Sequence, residues 1–223
     1  INKKIKSFNK TITVTGDKSL SIRFAILASL AKGKSKAKNI LLSEDVISTI
    51  NCLRKLGVKI KVKKNYCEVI GKGSNGYNYK NNLTLDAGNS GTTARLLASV
   101  LVNSPKTICI TGDNSLKKRD MKRIIDPLKK FGAKFKKNNG TLPLYIRGSN
   151  SIKSINYEEY RASAQCKTAV CLAALHARGI TKLKCKPSRD HTEILFKYLE
   201  IPIKIRKTKN FDYIEIKQKK DFK

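Results

Sequence analysis

Residues 83–104 read LTLDAGNSGTTARLLASVLVNS, and this stretch carries the pattern from which the fold is predicted. It predicts a short alternating strand, a turn rich in Gly and Ser, and a helix of small and apolar residues. The same order recurs in TITVTGDKSLSIRFAILASLAKG at 11–33 and in INYEEYRASAQCKTAVCLAALHARG at 155–179. Self-similarity of this kind indicates one folding unit used three times.

The downstream half of the unit recurs as well. Residues 53–71, 128–148 and 196–217 each combine a helix end with two short alternating strands joined by a turn. Both halves follow in the same order each time. An ordinary α/β sandwich without a true repeat is the alternative, and the recurrence of both halves in one order argues against it.

Each unit is therefore predicted to run β-α-β-α-β-β, over about 11–73, 82–149 and 154–218. The fold class is α/β (α+β), with three repeats around buried helices. Small residues on the predicted helices would let them approach closely, and these residues are Ala25, Ala28, Ala94, Ala98, Ala169 and Ala173. We expect residues 11–220 to form one domain, while the segment INKKIKSFNK at 1–10 belongs to no unit and is either a frayed end or a strand that pairs outside this chain.

The net charge of +32 raises the hypothesis of a nucleic-acid-binding module. Lysine supplies 38 of the 48 positive charges, whereas nucleic-acid readers rely on arginine for bidentate contacts. The lysines are spread along the whole chain, without the alternation of basic and aromatic residues that stacks bases. The excess of lysine over arginine and the even spread of the lysines therefore argue against nucleic acid as the partner. The positive field of the protein would still concentrate small anions.

Composition also bears on compartment and metal content. The six cysteines include no CxxC pair and the chain has two histidines, so we expect reduced cysteines that pack as small hydrophobes and no metal site. Apolar stretches such as AVCLAALHA at 169–177 are far shorter than the ~20 residues that span a bilayer. We expect a soluble, cytoplasmic protein and no membrane partner.

Three helix starts, GDKS, GNSGT and ASAQ, contain the positions Ser19, Gly91 and Ser163, which align with a spacing of 72 residues. Helix N-termini present unpaired N–H groups and partial positive charge, which favour phosphate or carboxylate. Taken singly, such residues are usually plain N-caps. Brought together by the repeat, they would form one anion pocket.

Charged residues near helix starts extend this hypothesis. Arg23 interrupts the apolar run SIRFAILASLA, so it is either a clamp on a buried anion or an arginine that reaches the domain edge. Arg119 lies among basic neighbours, so its default interpretation is a residue on a solvent-exposed face. In SRDHTE, Ser188 reads as an N-cap with Glu193 in the first turns, and Arg189 is available for an anion. Neighbouring Ser, Asp and His do not by themselves make a catalytic triad.

Six strings in one order, GDKSLSIR, AGNSGTTARLL, a basic loop ending in Arg119, PLYIRG, SAQCK and SRDHTE, resemble the 3-phosphoshikimate 1-carboxyvinyltransferase (EPSP synthase) family. SAQ-x-K and RDHTE resemble its class II branch, and the match covers nearly all of 11–218. The resemblance implies six β-α-β-α-β-β units in two domains, which form an inside-out barrel with the active site in the cleft between them. This chain would be one domain, and segment 1–10 the strand that joins the missing one.

The resemblance also implies site residues. Those matching shikimate 3-phosphate ligands are Lys18, Ser19, Arg23, Ser163, Ala164, Gln165, Ser188 and Arg189. Those matching the phosphoenolpyruvate side are Lys18, Asn89, Gly91, Arg119 and Gln165. Gly91 would leave the space in which the inhibitor glyphosate sits, so the complete enzyme is expected to be sensitive. The catalytic acid and base would lie in the missing domain, and no cofactor is implied.

Two departures matter. The sister family, UDP-N-acetylglucosamine enolpyruvyl transferase, has a reactive cysteine five residues before the arginine matched by Arg119, and that position is Asn114 here. Asp120 stands where the EPSP synthase family usually has proline, which affects the direction in which Arg119 points.

We expect the chain alone to bind shikimate 3-phosphate weakly without turnover, and the complete enzyme to be a monomer. Besides the enzyme domain and the nucleic-acid-binding module, a third interpretation is a purely structural domain, in which the turns are only helix caps.

Overall fold

The computed structural model describes residues 11–64, 66–136 and 139–223, together with Ser7 and Asn9. The predictions for residues 1–10 therefore lie almost entirely outside the described residues, and the domain limits 11–220 stay a prediction. The first unit comprises α1 (Lys18–Leu30), β1 (Lys32–Ala37), α2 (Glu44–Lys55), β2 (Lys59–Lys63) and β3 (Tyr66–Lys72).

The second and third units follow the predicted order of elements. The second comprises β4 (Leu83–Asp86), α3 (Gly91–Val100), β5 (Ile108–Thr111), a short α4 (Asn114–Lys117), α5 (Lys122–Lys130), β6 (Lys134–Phe135) and β7 (Leu144–Arg147). The third comprises β8 (Asn156–Glu159), α6 (Ala164–Ala174), β9 (Ile180–Cys185), α7 (His191–Tyr198), β10 (Ile203–Lys207) and β11 (Asp212–Lys217).

The described strands form three separate open sheets, one for each unit, in the orders β1-β3-β2, β4-β5-β7-β6 and β10-β11-β9-β8. In the second and third sheets, the first strand of the unit pairs in parallel with the next, β4 with β5 and β8 with β9. The remaining pairings are antiparallel. The mixed α/β class and the threefold plan agree with the prediction.

The strand predicted at the start of the first unit is absent from the described residues, so this part of the prediction is wrong. Residues 11–15 alternate as a strand does, yet the side chains of Ile12 and Val14 are 73% and 67% exposed. The carbonyl of Val14 accepts a hydrogen bond of 3.1 Å from Nδ2 of Asn39. Strand propensity is not sufficient, because a strand also needs a neighbouring edge that satisfies its backbone groups.

The centre of the molecule consists of α1, α3 and α6, which are rich in small and apolar residues and are buried on almost all sides beyond their first turns. The six alanines predicted to allow close approach are all buried, none more than 5% exposed. The helices α2, α5 and α7 bury one face each and expose the other. This arrangement sets the starts of the three central helices on one side of the molecule.

The cysteines Cys52, Cys67, Cys109, Cys166, Cys171 and Cys185 all belong to the described part of the chain, where each is buried and free. Over the same residues no group of three or more His, Cys, Asp and Glu side chains is arranged to hold a metal ion. None of the described helices is both long enough and apolar enough to cross a bilayer.

Candidate functional site

The central helices begin at corresponding positions, each with a side-chain cap. Oδ1 of Asp17 accepts a hydrogen bond from the Leu20 amide at 2.7 Å. Oγ of Ser90 and Oγ of Ser163 accept corresponding bonds, each of 3.2 Å, from the amides of residues 93 and 166. These N-caps lie at 17, 90 and 163, a constant spacing of 73 residues.

The sequence alignment with a spacing of 72 is therefore one residue short at each step from unit to unit, and Gly91 is the first residue of its helix. Ser163 is the cap of its helix, whereas Ser19 lies inside the first turn of α1. The first helical residues are Lys18, Gly91 and Ala164. The alignment matched small residues by type, but the capping contacts define the register. Each helix start is an N-cap, as the simpler interpretation held, and it still directs the free amides of its first turn outwards.

Arg23 joins α1 to the third unit. Its Nε donates to Oγ1 of Thr192 and its Nη2 to Oγ1 of Thr168, both at 2.9 Å. Nη1 donates to the carbonyl oxygen of Ser19 at 3.1 Å. The residue is only 6% exposed, so it does not reach the domain edge. Burial lowers the pKa of Arg23, the carboxylate of Glu193 opposes this shift, and the nearby Arg189 adds to it.

Arg95 joins α3 to α6, and the sequence analysis did not identify it. Nη1 of Arg95 donates to Oε1 of Gln165 at 2.5 Å, and Nη2 donates to the carbonyl of Asp120 at 3.0 Å. Nε2 of Gln165 in turn donates to Oγ1 of Thr92 at 2.9 Å. Burial lowers the pKa of Arg95, as do the neighbouring cations Arg123 and Arg119. The signal was present, because a charge inside GTTARLLASV is the same anomaly that singled out Arg23.

Lys18 joins α1 to α2 through Asp45, a second residue that the sequence analysis missed. Nζ of Lys18 lies 3.0 Å from Oδ2 of Asp45. Burial alone would raise the pKa of Asp45, but hydrogen bonding with Ser90 and the ammonium of Lys18 outweigh burial, so the pKa lies below its ordinary value. Since Ser90 precedes Gly91 and Thr92 binds Gln165, the structure brings Lys18, Gly91 and Gln165 together on one surface.

Arg119 points at the start of α3 and is held there. Its Nη2 donates to Oδ1 of Asn89 at 2.6 Å, and its Nη1 donates to the carbonyl of Asn89 at 3.3 Å. Nδ2 of Asn89 donates to Oδ2 of Asp113 at 2.6 Å, which fixes the amide. Arg119 is exposed, as the default interpretation held, and its guanidinium is nevertheless held against Asn89. Oδ1 of Asp120 accepts from the amide of Lys122 at 2.8 Å, so Asp120 shapes the loop that follows Arg119.

The turn before α7 differs from its prediction. The helix begins at His191 with Asp190 in the N-cap position, so the expectation that Ser188 is the N-cap is wrong. Oγ of Ser188 is buried and has no hydrogen-bond partner among the residues that the structure describes. Arg189 is exposed. Oδ2 of Asp190 is 2.9 Å from Nζ of Lys207, and this hydrogen bond lowers the pKa of Asp190, so the carboxylate is not directed at the neighbouring histidine.

The assembled surface combines three helix N-termini with the cations of Lys18, Arg23, Arg119 and Arg189. Arg189 contributes to the lowered pKa of Arg23, after burial, and two guanidinium groups placed so close together are set up to receive negative charge. A cavity of about 360 Å³ lies elsewhere, at the opposite ends of the central helices, where Leu101 and His176 are among its lining residues. The chemistry suited to the helix starts is the binding of phosphate and carboxylate groups.

Known proteins match this chain along most of its length. A family model described as EPSP synthase (3-phosphoshikimate 1-carboxyvinyltransferase) matches residues 2–222. A 3-phosphoshikimate 1-carboxyvinyltransferase of Bacillus cytotoxicus is 46% identical over 191 residues, which are 84% of this chain and 45% of that protein. One of Petrotoga mobilis is 45% identical over 197 residues, 86% of this chain and 45% of that protein.

Solved structures give the same result. An EPSP synthase from Acinetobacter baumannii superposes with a TM-score of 0.86 and 34% sequence identity, covering 95% of this chain and 47% of that chain. The chain spans about half the length of the relatives that it matches.

Proposed function

This chain belongs to the EPSP synthase family, and we propose that it supplies the anion-binding half of an enzyme that transfers an enolpyruvyl group. The donor is phosphoenolpyruvate and the acceptor is the 5-hydroxyl of shikimate 3-phosphate. The observation that carries the proposal is the meeting of Lys18, Gly91 and Gln165 at three adjoining helix starts.

The reaction defines what the site must do. The 5-hydroxyl attacks C2 of phosphoenolpyruvate while C3 gains a proton and the hydroxyl loses one. The tetrahedral ketal then releases inorganic phosphate, as C3 gives up a proton, to give the enolpyruvyl ether. The two substrates together bring two phosphates and two carboxylates into one place. Helix N-termini, lysine and arginine offset the repulsion between these groups.

Shikimate 3-phosphate is assigned to the side of the surface formed by α1, α6 and the turn before α7. Its proposed ligands are Lys18, Ser19, Arg23, Ser163, Ala164, Gln165, Ser188 and Arg189. In support, Arg23 uses three of its five N–H groups within the protein, which leaves two that can donate to a phosphate. The exposed Arg189 lies close enough to lower the pKa of Arg23, so both can face one anion.

Phosphoenolpyruvate is assigned to the start of α3. Its proposed ligands are Lys18, Asn89, Gly91, Arg119 and Gln165. Arg119 and Asn89 already bind each other, so a bound carboxylate or phosphate would share or replace that contact. Gly91 offers its amide without a side chain, and we propose that glyphosate competes in the same space in the complete enzyme.

Proton transfer needs an acid and a base that are free to exchange protons. The carboxylates described around this surface are engaged, those of Asp45, Asp113 and Asp190 with side chains and those of Asp17 and Asp120 with backbone amides. We therefore assign proton transfer to residues outside this chain, brought in by closure of a second domain that also excludes water.

Titration calorimetry of the 223-residue chain with shikimate 3-phosphate tests the proposal. The wild-type chain should release or absorb heat at one site, and the Lys18→Ala/Arg23→Met variant should lose the signal. The matched control makes the same two changes in the lining of the 360 Å³ cavity, as Lys220→Ala/Arg178→Met, and should bind normally.

Equal loss of binding in both double variants would mean that only net charge attracts the ligand, which would overturn the proposal. Circular dichroism of each variant verifies that it is folded. Turnover of both substrates by the chain alone would contradict the assignment of proton transfer to another part of the enzyme.

A further inference from the structure

A buried ion pair lies behind the proposed shikimate 3-phosphate site, at the junction of α6 and α7. Nζ of Lys167 is 2.6 Å from Oε1 of Glu193, and the two side chains are 0% and 3% exposed. The same Nζ is 3.3 Å from the carbonyl oxygen of Ser188. Oε2 of Glu193 is buried and has no hydrogen-bond partner within the described part of the chain.

The pair is one of two consecutive contacts that lock α6 to α7. The adjacent residues Thr168, which follows Lys167, and Thr192, which precedes Glu193, pair as well. Their hydroxyls are 2.8 Å apart and both accept from Arg23. The start of α7 is thereby fixed against the start of α6. The turn before α7 has an additional anchor, the bond from Lys167 to the Ser188 carbonyl.

Stability alone is a weak reason for such a pair. The desolvation of two buried charges commonly cancels their attraction, and apolar side chains of similar volume are often as stable. A buried ion pair is better explained when it holds a segment of the chain in one position, and here that segment is the turn before α7. The turn carries the exposed Arg189 close to Arg23, and the repulsion between the two guanidinium groups would push the turn away while no anion is bound.

We propose that Lys167 and Glu193 are positioning residues that hold the Ser188–Arg189 turn in its anion-binding place before the ligand arrives. Lys167 donates to the Ser188 carbonyl, and Glu193 neutralises the ammonium, so that the anchor adds no net positive charge beside Arg23 and Arg189. The inference rests on the proposed function, because the ligand held by the turn is the phosphate-bearing substrate assigned above.

The test uses Lys167→Met/Glu193→Leu, which removes the anchor while keeping the volume and leaving no lone buried charge. The control is Lys182→Met/Glu215→Leu, the same pair of changes in an ion pair of 3.7 Å on the exposed surface of the third sheet. Amide hydrogen exchange by mass spectrometry should show the turn at 186–190 exchanging on the order of tenfold faster in the first variant and unchanged in the control.

A double-mutant cycle then separates positioning from general structure. Shikimate 3-phosphate should bind the anchor variant about tenfold more weakly than wild type, but the same changes made in an Arg189→Ala background should cost less than about twofold. A loss of equal size in both backgrounds would overturn the proposal, as would normal exchange at 186–190. If the wild-type chain gives no heat with shikimate 3-phosphate, the proposed function fails, and the exchange measurement still decides whether Lys167 anchors the turn.

Discussion

Gln165 and Arg95 are joined by a hydrogen bond of 2.5 Å between Oε1 and Nη1, which connects the start of α6 with the middle of α3. The other terminal nitrogen of Arg95 donates to the carbonyl of Asp120, next to Arg119. One buried guanidinium therefore links both proposed substrate sides. A substitution at any of these residues should therefore change the positions of the other side chains.

Gly91→Ala should disturb this link without unfolding the helix. A Cβ at Gly91 would lie 2.8 Å from Nη1 of Arg95 and 3.5 Å from Cδ1 of Leu116, so the guanidinium must shift. The gain in helix propensity, up to about 1 kcal/mol, offsets part of that cost. We expect unfolding free energy within about 1 kcal/mol of wild type, and a phosphoenolpyruvate dissociation constant raised on the order of fivefold in calorimetry with saturating shikimate 3-phosphate.

Gly33→Ala is the control for this substitution. Gly33 has φ of +97°, and among the described residues nothing lies within 4 Å of a Cβ built on it. This control should lose up to about 1 kcal/mol of stability because of its backbone conformation while keeping normal ligand affinity. Unchanged phosphoenolpyruvate binding in Gly91→Ala would show that Arg95 does not transmit the clash.

Gln165→Glu should separate stability from binding. The new carboxylate can still accept from Arg95 but can no longer donate to Thr92, and it places negative charge where the ligand phosphate is proposed to bind. We expect the free energy of unfolding to change by less than about 1 kcal/mol, since the new ion pair with Arg95 offsets the lost hydrogen bond to Thr92. Affinity for shikimate 3-phosphate should fall more than about tenfold, which is 1.4 kcal/mol.

Gln218→Glu makes the identical chemical change in the lining of the cavity at the other end of the helices. It should leave shikimate 3-phosphate binding intact. Comparable losses in the two variants would point to a general charge effect, against a local role for Gln165.

The sequence was sufficient for the plan of the fold, because the repeat, the small-residue helices and the strand pairs are all local patterns. It was also sufficient to single out Arg23, whose charge conflicts with its apolar surroundings. The first strand failed because TITVT satisfies local propensity but depends on a neighbouring edge, which no local pattern reports. The N-cap predicted at Ser188 failed because α7 begins two residues later than expected, with Asp190 in the N-cap position.

The contacts that shape the site were largely beyond prediction from sequence. Asp45 meets Lys18 across 27 residues, and Gln165 meets Arg95 across 70. Lys18 and Gln165, two of the residues matched by family resemblance, contact these partners directly. The charge of Arg95 inside an apolar helix is visible in the sequence, but which residues pair with one another becomes recognisable only once the three units are packed together.

The buried pair of Lys167 and Glu193 predicts an unusual order of stability. Lys167→Met alone should lose about 3–5 kcal/mol of unfolding free energy, because it leaves Glu193 buried and unpaired. The double variant with Glu193→Leu should recover most of that loss, since no buried charge remains. Urea unfolding followed by circular dichroism measures both.

Lys182→Met, in an exposed ion pair of 3.7 Å, is the control and should lose less than about 1 kcal/mol. A double variant no more stable than Lys167→Met alone would mean that the site depends on these side chains for packing rather than charge balance.

His176 should make the stability of the chain depend on pH. The residue is 8% exposed, Nδ2 of Asn103 lies 3.0 Å from its Nδ1, and burial lowers its pKa from 6.5 to about 4. In the unfolded chain the imidazole takes up a proton near pH 6.5, whereas in the folded chain it stays neutral down to about pH 4. The unfolded state therefore binds more protons in this window, and stability falls as the pH falls.

The size of the effect follows from the shift, at about 1.4 kcal/mol per pH unit, so that His176 should cost roughly 3 kcal/mol of stability between pH 7 and pH 4. Urea unfolding of wild type and His176→Gln at several pH values isolates it from the carboxylates, which titrate in both proteins. The free-energy difference between the two proteins should shift in favour of His176→Gln as the pH falls. A His176→Gln curve that runs parallel to wild type would show that the buried imidazole gains its proton without unfolding.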